Sequence, residues 1–208
     1  MSELSAQLAA ALPENAAVRP AWLKALRESA AEQFHTHGLP TRKDESWKYT
    51  GLSPLDQAGV QLASPAGLAP SGVSYPAPLV ESGLQLKLLD GMLLEQSGDA
   101  PSGVTVLPLA AALDDGVDGL QDLLESLAGK QPDLTSGQGF SALNSATLDS
   151  GVFIHVAAGK DAGRLALTWA SSQGEQPLLF NSRICVIVEA GARLEMLEHF
   201  ESTADNAN

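Results

Sequence analysis

The sequence predicts an α+β chain in which an N-terminal helical region precedes a strand-rich region. Three observations carry that prediction. Apolar residues recur at helical spacing through residues 20–37. They alternate with period two at Leu84, Leu86 and Leu88 and again at Val152, Ile154 and Val156. A strand–glycine–strand pattern then repeats at a fixed offset in the last third of the chain.

The elements follow in order. Leu4, Leu8, Ala11 and Leu12 give a first helix within Ser2–Leu12, closed by Pro13. Pro20 suits a first helical position, where its missing N–H costs nothing. Trp22, Leu26, Ala30 and Phe34 recur every four residues, with Leu23 beside them. Gly38 can take a left-handed terminal position and Pro40 prevents continuation. Thr41 with Asp44 three residues on resembles a capping box and predicts a short turn of helix. Residues 59–83, with Pro65, Pro70, Pro76 and Pro78, read as a connector. Leu84–Leu88 and Met92–Leu94 read as strands around an Asp90-Gly91 turn, and Val104–Leu107 as another strand. Leu120, Leu123, Leu124 and Leu127 form a helix face, with Asp118 as N-cap and Gly129 past the end.

Beyond Phe140 two segments look like copies. Val152–Gly159 leads into Leu165–Trp169, and Ile184–Gly191 leads into Leu194–Leu197, with Gly159 and Gly191 in register 32 residues apart. Such a repeat fits a coil of a β-solenoid, and the alternation alone fits an antiparallel sandwich equally. By alternation Ile154, Val156, Val186 and Val188 share the inward face, and His155 and Ile187 the other. The resulting regions are 1–58 (helical), 59–83 (connector), 84–139 (mixed strand and helix) and 140–208 (the repeat).

Composition excludes several functions. Twelve basic against 25 acidic residues leave a formal charge of −13, a poor basis for binding nucleic acid or an anionic membrane. One cysteine, Cys185, forms neither an internal disulfide nor a cysteine cage for zinc or an iron–sulfur cluster. The start has no basic n-region, the first base being Arg19, and no apolar run approaches the ~18 residues of a membrane span. A cytoplasmic setting is expected.

The candidate chemistry is sparse. His35 and His37 fall in a last helical turn, where a cation complements the helix dipole; residues two apart diverge on a helix, so polar end residues are expected rather than a metal site. Cys185 faces opposite to Ile184 and Val186, either outward or into a second buried layer, and Arg183 is the only nearby base to activate it. A packed cysteine is the expectation. His155 and His199 lie on strands, the latter flanked by Glu198 and Glu201, with no convergent partner evident in sequence. Trp47 and Tyr49 stand among Arg42, Lys43 and Lys48, a mixture suited either to an interface or to a turn covering the helices. No P-loop, dinucleotide glycine pattern or nucleophile elbow occurs.

The stretch Gly38-Leu-Pro-Thr-Arg-Lys-Asp-Glu-Ser-Trp-Lys-Tyr-Thr50, preceded by a helix ending in Phe34, resembles the N-terminal signature of the SufD family, subunits of the SUF iron–sulfur cluster assembly machinery. Leu86–Leu93, Phe140–Thr147 continuing into Gly151–Val156, and Arg183–Glu198 resemble further family stretches in the same order. The resemblance implies that residues 140–208 begin a right-handed parallel β-helix, and that the chain is an N-terminal fragment of such a protein. It implies a non-catalytic scaffold pairing with SufB and SufC homologues, without ATPase or desulfurase activity, in a complex that assembles an iron–sulfur cluster. The family's SufC-docking surface would lie downstream, so no catalytic, cofactor or metal residue is carried over. The last coil, with Leu194 and Met196, is expected to present an open edge prone to self-association. The alternatives are a β-solenoid enzyme of the polysaccharide lyase or acyltransferase type, and an adaptor that only binds protein.

Overall fold

A computed structural model describes residues 2–12, 20–63, 83–129, 138–171 and 177–202. In chain order the elements are α1 (Glu3–Ala10), α2 (Ala21–His37), a 3-10 turn (Glu45–Trp47), α3 (Ser53–Ala58), β1 (Gln61–Leu62), β2 (Leu84–Leu89), β3 (Met92–Ser97), β4 (Val104–Pro108), α4 (Leu109–Asp115), α5 (Leu120–Gly129), α6 (Gln138–Ala146), β5 (Ser150–Val156), β6 (Asp161–Ser171), β7 (Leu178–Leu179), β8 (Ser182–Val188) and β9 (Arg193–Ser202). They form an α+β chain with a helical N-terminus followed by strands. The chain separates into two compact units, one of residues 1–63, 113–148 and 174–181, the other of 64–112, 149–173 and 182–208. Most of the proline-rich connector read from composition, residues 64–82, lies outside the described residues.

The first unit is mainly helical, with β1 and β7 paired in parallel. Leu4, Leu8, Phe34, Leu39, Val60 and Leu143 form its core. Three hydrogen bonds cap α1 and tie it into this core: the Ser2 hydroxyl accepts from Ser5 N–H, Asp56 accepts from Leu4 N–H at 3.1 Å, and the buried Ser5 hydroxyl accepts from Leu39 N–H at 2.9 Å. On α2 the four-residue stripe is only partly core. Leu23, Ala30 and Phe34 are buried, whereas Trp22 and Leu26 are half-buried. Steps of four advance about 40° per repeat around a helix of 3.6 residues per turn, so the stripe winds off the buried face. Pro20 stands at the N-cap rather than the first turn. Gly38 ends the helix at φ +64, ψ −166, a positive-φ stop outside the left-handed helical region. The end of α2 touches the start of α6 so closely that a Cβ on Gly139 would lie 2.0 Å from the Gly38 carbonyl oxygen. On α5, Leu120 and Leu124 are buried, but Leu127 is exposed.

The second unit is a seven-stranded sheet. Asp90 (φ +50) and Gly91 (φ +85) form the predicted tight turn, which pairs β2 with β3 antiparallel. The repeated segments stack in parallel. β5 pairs with β8 from Ser150↔Ser182 to Val156↔Val188, and β6 pairs with β9 from Asp161↔Arg193 to Ser171↔Ser202. The two copies therefore pair with each other in parallel rather than antiparallel, one 32-residue period apart. A register shift between Asp161 and Arg164 shortens the later offset by one residue. The corner connects the same way, with Gly159 N–H donating to the Ala190 carbonyl at 3.0 Å and Arg193 N–H to the Lys160 carbonyl at 2.8 Å.

The sheet as a whole is mixed, which differs from the all-parallel coil implied by the family resemblance. β2–β3 and β4–β5 are antiparallel. A two-residue turn can join only antiparallel neighbours, so the Asp90-Gly91 hairpin imposes that geometry locally. The apolar interior comprises Leu84, Leu86, Leu88, Val152, Ile154, Leu165 and Leu167. Ile154 and Val156 share a face with Val186 and Val188 as expected, but Val188 is 44% exposed because β8 has only β5 beside it among the described residues.

Candidate functional site

β5 places its residues on two faces, and both are buried: Val152, Ile154 and Val156 on one, Phe153 on the other. Cys185 stands beside Phe153 in register and is only 3% exposed, so it belongs to a second buried layer. Burial pushes its thiol up to about 11, a rise that nearby Arg183 only partly offsets. Burial likewise draws the Arg183 guanidinium below its ordinary value. A thiol so placed is a poor nucleophile and a poor ligand at neutral pH.

The strand histidines each meet one carboxylate. His155 lies 2.8 Å from Glu189, whose other oxygen accepts from Ala158 N–H at 2.8 Å. The His155 bond, then the Ala158 N–H, hold the Glu189 carboxyl below its usual range, with desolvation working weakly against them. His155 and Glu189 are 34 positions apart, and the sequence reading missed this pairing. The signal was present: the 32-residue repeat sets Ile187 beside His155, and Glu189 is the next residue on that face of the strand. His199 contacts Glu201 at 2.5 Å, while Glu198 accepts from the Trp169 indole N–H at 3.2 Å. These pairs are separate two-residue contacts. Among the described residues no group of three His, Cys, Asp or Glu side chains is placed to hold a metal ion. His35 and His37 are exposed on the last turn of α2.

The aromatic–basic stretch after Gly38 divides between packing and exposure. Asp44 turns back to accept from both Thr41 N–H (2.6 Å) and Thr41 Oγ1 (3.1 Å), one half of the predicted box; the helical turn itself begins after Asp44, at Glu45, rather than after Thr41. Trp47 is half-buried, with its ring 5.4 Å from that of Phe140 on α6. Tyr49 projects outward, 88% exposed, with Lys48 Nζ 5.6 Å from its ring centre. Elsewhere in the first unit, Trp22, Leu26 and Gln33 of α2, Glu125 of α5 and Ala142 of α6 line an open groove of about 240 Å3. It gathers no convergent set of catalytic groups.

In the second unit β8 and β9 are edge strands among the described residues, and Phe200 on β9 is 71% exposed, stacked 5.8 Å from Trp169. No helix among the described residues is long and apolar enough to cross a membrane. Among the described residues the arrangement offers packing surfaces and strand edges. Against known proteins, residues 9–63 match the family model described as SufBD protein N-terminal region, a span that includes the Gly38–Thr50 motif. That segment is therefore similar to the N-terminal region of SufB and SufD proteins of iron–sulfur cluster assembly. No curated protein matches the chain.

Proposed function

We propose that this chain serves as a non-catalytic scaffold subunit of SufD type in SUF iron–sulfur cluster assembly, pairing with SufB and SufC homologues in the cytoplasm. The observation that carries the reading is the match of residues 9–63 to the SufBD N-terminal region. The parallel stacking of β5 on β8 and β6 on β9 supports it, because segments stacked in parallel at a 32-residue period are what a stiff rod with a continuous apolar interior is built from. In this reading the right-handed parallel β-helix is built from such coils, and the cluster is cargo of the complex rather than a group held by these residues. Self-association through the β8/β9 edge is part of the proposal, since an unpaired strand edge with exposed Phe200 can pair with a second chain.

The test is genetic and biochemical. Deleting the reading frame that carries these residues should lower the activity of an iron–sulfur dehydratase in the cell, and the tagged product should co-purify with SufB and SufC homologues. Normal dehydratase maturation together with no recovery of either partner would reject the reading. Recovery of an unrelated protein alone would favour the adaptor. Light scattering over a concentration series tests the edge, and a concentration-independent mass would remove that part.

A further inference from the structure

We propose that the exposed turn over residues 41–50 is a docking platform for a short acidic segment of a partner protein, one that also carries an apolar side chain. The chain has a net charge of −13 and only twelve basic residues, yet three of them, Arg42, Lys43 and Lys48, fall within seven positions of this turn. All three are exposed. Among the described residues none of them has an ion pair, whereas Lys24, Lys87 and Arg164 pair with Glu28, Glu95 and Glu195. Of the two acids in the turn, Asp44 is taken up by Thr41, and Glu45 alone faces solvent among the cations.

The turn is held in one shape. Asp44 N–H donates to the Thr41 carbonyl at 2.9 Å, Trp47 N–H to Asp44 at 2.9 Å and Thr50 N–H to Trp47 at 2.9 Å. The Trp47 ring fixes it to Phe140 in the same unit. A platform ordered in advance loses little conformational entropy when it binds. Tyr49 is 88% exposed, with only Lys48 Nζ over its ring among the described residues, and Tyr with Arg is the composition enriched at the centres of protein interfaces.

The occupant follows from charge. A polyanion such as a nucleic acid or an anionic membrane meets the repulsion of the whole chain, and three cations cannot neutralise a long phosphate run. A short segment with two or three carboxylates needs only the local cations, and an apolar residue beside them can pack on the free face of Tyr49. The proposal does not depend on the scaffold reading, because it uses only the charge and geometry of this turn.

Titrating the isotope-labelled chain with the synthetic peptide Glu-Glu-Leu-Glu-Glu, followed by NMR, tests the proposal. The expected result is amide shifts concentrated on residues 41–50 that shrink as salt rises. R42E/K43E should weaken binding by about tenfold or more, and Tyr49→Ala severalfold. Both variants alter exposed side chains and should keep the wild-type melting curve; if R42E/K43E does not, R42Q/K43Q serves in its place and must show the same loss. No shift at millimolar peptide, an equal response to Gln-Gln-Leu-Gln-Gln, or binding unaffected by these substitutions would overturn the proposal. So would tighter binding of a short DNA duplex or of phosphatidylserine vesicles at the same residues, which would make the turn a phosphate site.

Discussion

Truncating Ile154 and Val186 to alanine should have very different costs, although the two residues face each other across one ladder. Ile154 is fully buried between β4, where it opposes Val106, and β8, where it opposes Val186. Ile154→Ala removes three carbons, about 2.4 kcal/mol of transfer energy at about 0.8 kcal/mol each. The void left between two fixed strands adds a cavity term, bringing the loss to about 3–4 kcal/mol. Val186→Ala removes two carbons from a half-buried position on an edge strand. Half of about 1.6 kcal/mol is about 0.8 kcal/mol, and a site open to solvent leaves no dry cavity. The assay is urea unfolding read by Trp169 fluorescence in a background carrying Trp22→Phe and Trp47→Phe. That background isolates the second unit, because Trp22 and Trp47 lie in the first. At a slope of about 2 kcal/mol per M, the midpoints should fall by about 1.5–2 M for Ile154→Ala and about 0.4 M for Val186→Ala. Equal losses, or a larger loss at Val186, would refute the inner-coil and edge-coil assignment.

Three further outcomes follow from the same geometry. Gly151→Ala should cost about 2 kcal/mol or more in a thermal melt, since its φ is +121 and the new Cβ would lie 2.0 Å from the Arg183 carbonyl oxygen; Gly159→Ala, at φ +68 with open space around it, should cost about 1 kcal/mol. Cys185 should resist iodoacetamide at pH 8 in the folded chain and react fully in urea, because a thiol at about 11 is ionised to only about one part in a thousand there; rapid labelling of the native chain would contradict its placement. Glu189 has a depressed folded pKa, so its bonds to His155 and Ala158 stabilise the fold above the unfolded carboxyl value of about 4.3, and that contribution fades as pH falls through the lower folded value. The melting temperatures of wild type and Glu189→Gln should therefore differ most above about pH 5 and converge in acid; a constant gap across that range would show that the carboxylate charge is irrelevant at this corner.

Much of the local structure was legible because its causes are local. The stop at Gly38, the Thr41–Asp44 contact and the Asp90-Gly91 hairpin each depend on the backbone freedom or side-chain reach of a few neighbouring residues. Which residues of β5 and β8 share a face was likewise set by period-two alternation, which fixes a residue's face as soon as a strand exists, but not which face is buried. The candidate sites were less legible. Cys185 was confined by alternation to the face opposite Ile184, but nothing in its own strand distinguishes an outer face from a second core layer.

What the sequence determined by itself is the α+β class, the 32-residue repeat and an acidic chain carrying one basic–aromatic turn. Tertiary structure alone decided how those parts pair. The same alternation is satisfied by parallel or antiparallel neighbours, so only long-range hydrogen bonding stacked β5 on β8 and β6 on β9 while leaving β2–β3 and β4–β5 antiparallel. That choice of neighbours put Glu189 beside His155 and Glu198 beside the Trp169 indole. Tertiary structure likewise buried both faces of β5, Val152, Ile154 and Val156 on one and Phe153 on the other, which depends on what packs over each face and not on the strand's own alternation. On α2, the mismatch between a four-residue spacing and 3.6 residues per turn left Trp22 and Leu26 half out of the core that holds Phe34, a difference that appears only when a second helix selects which side of the winding stripe to cover.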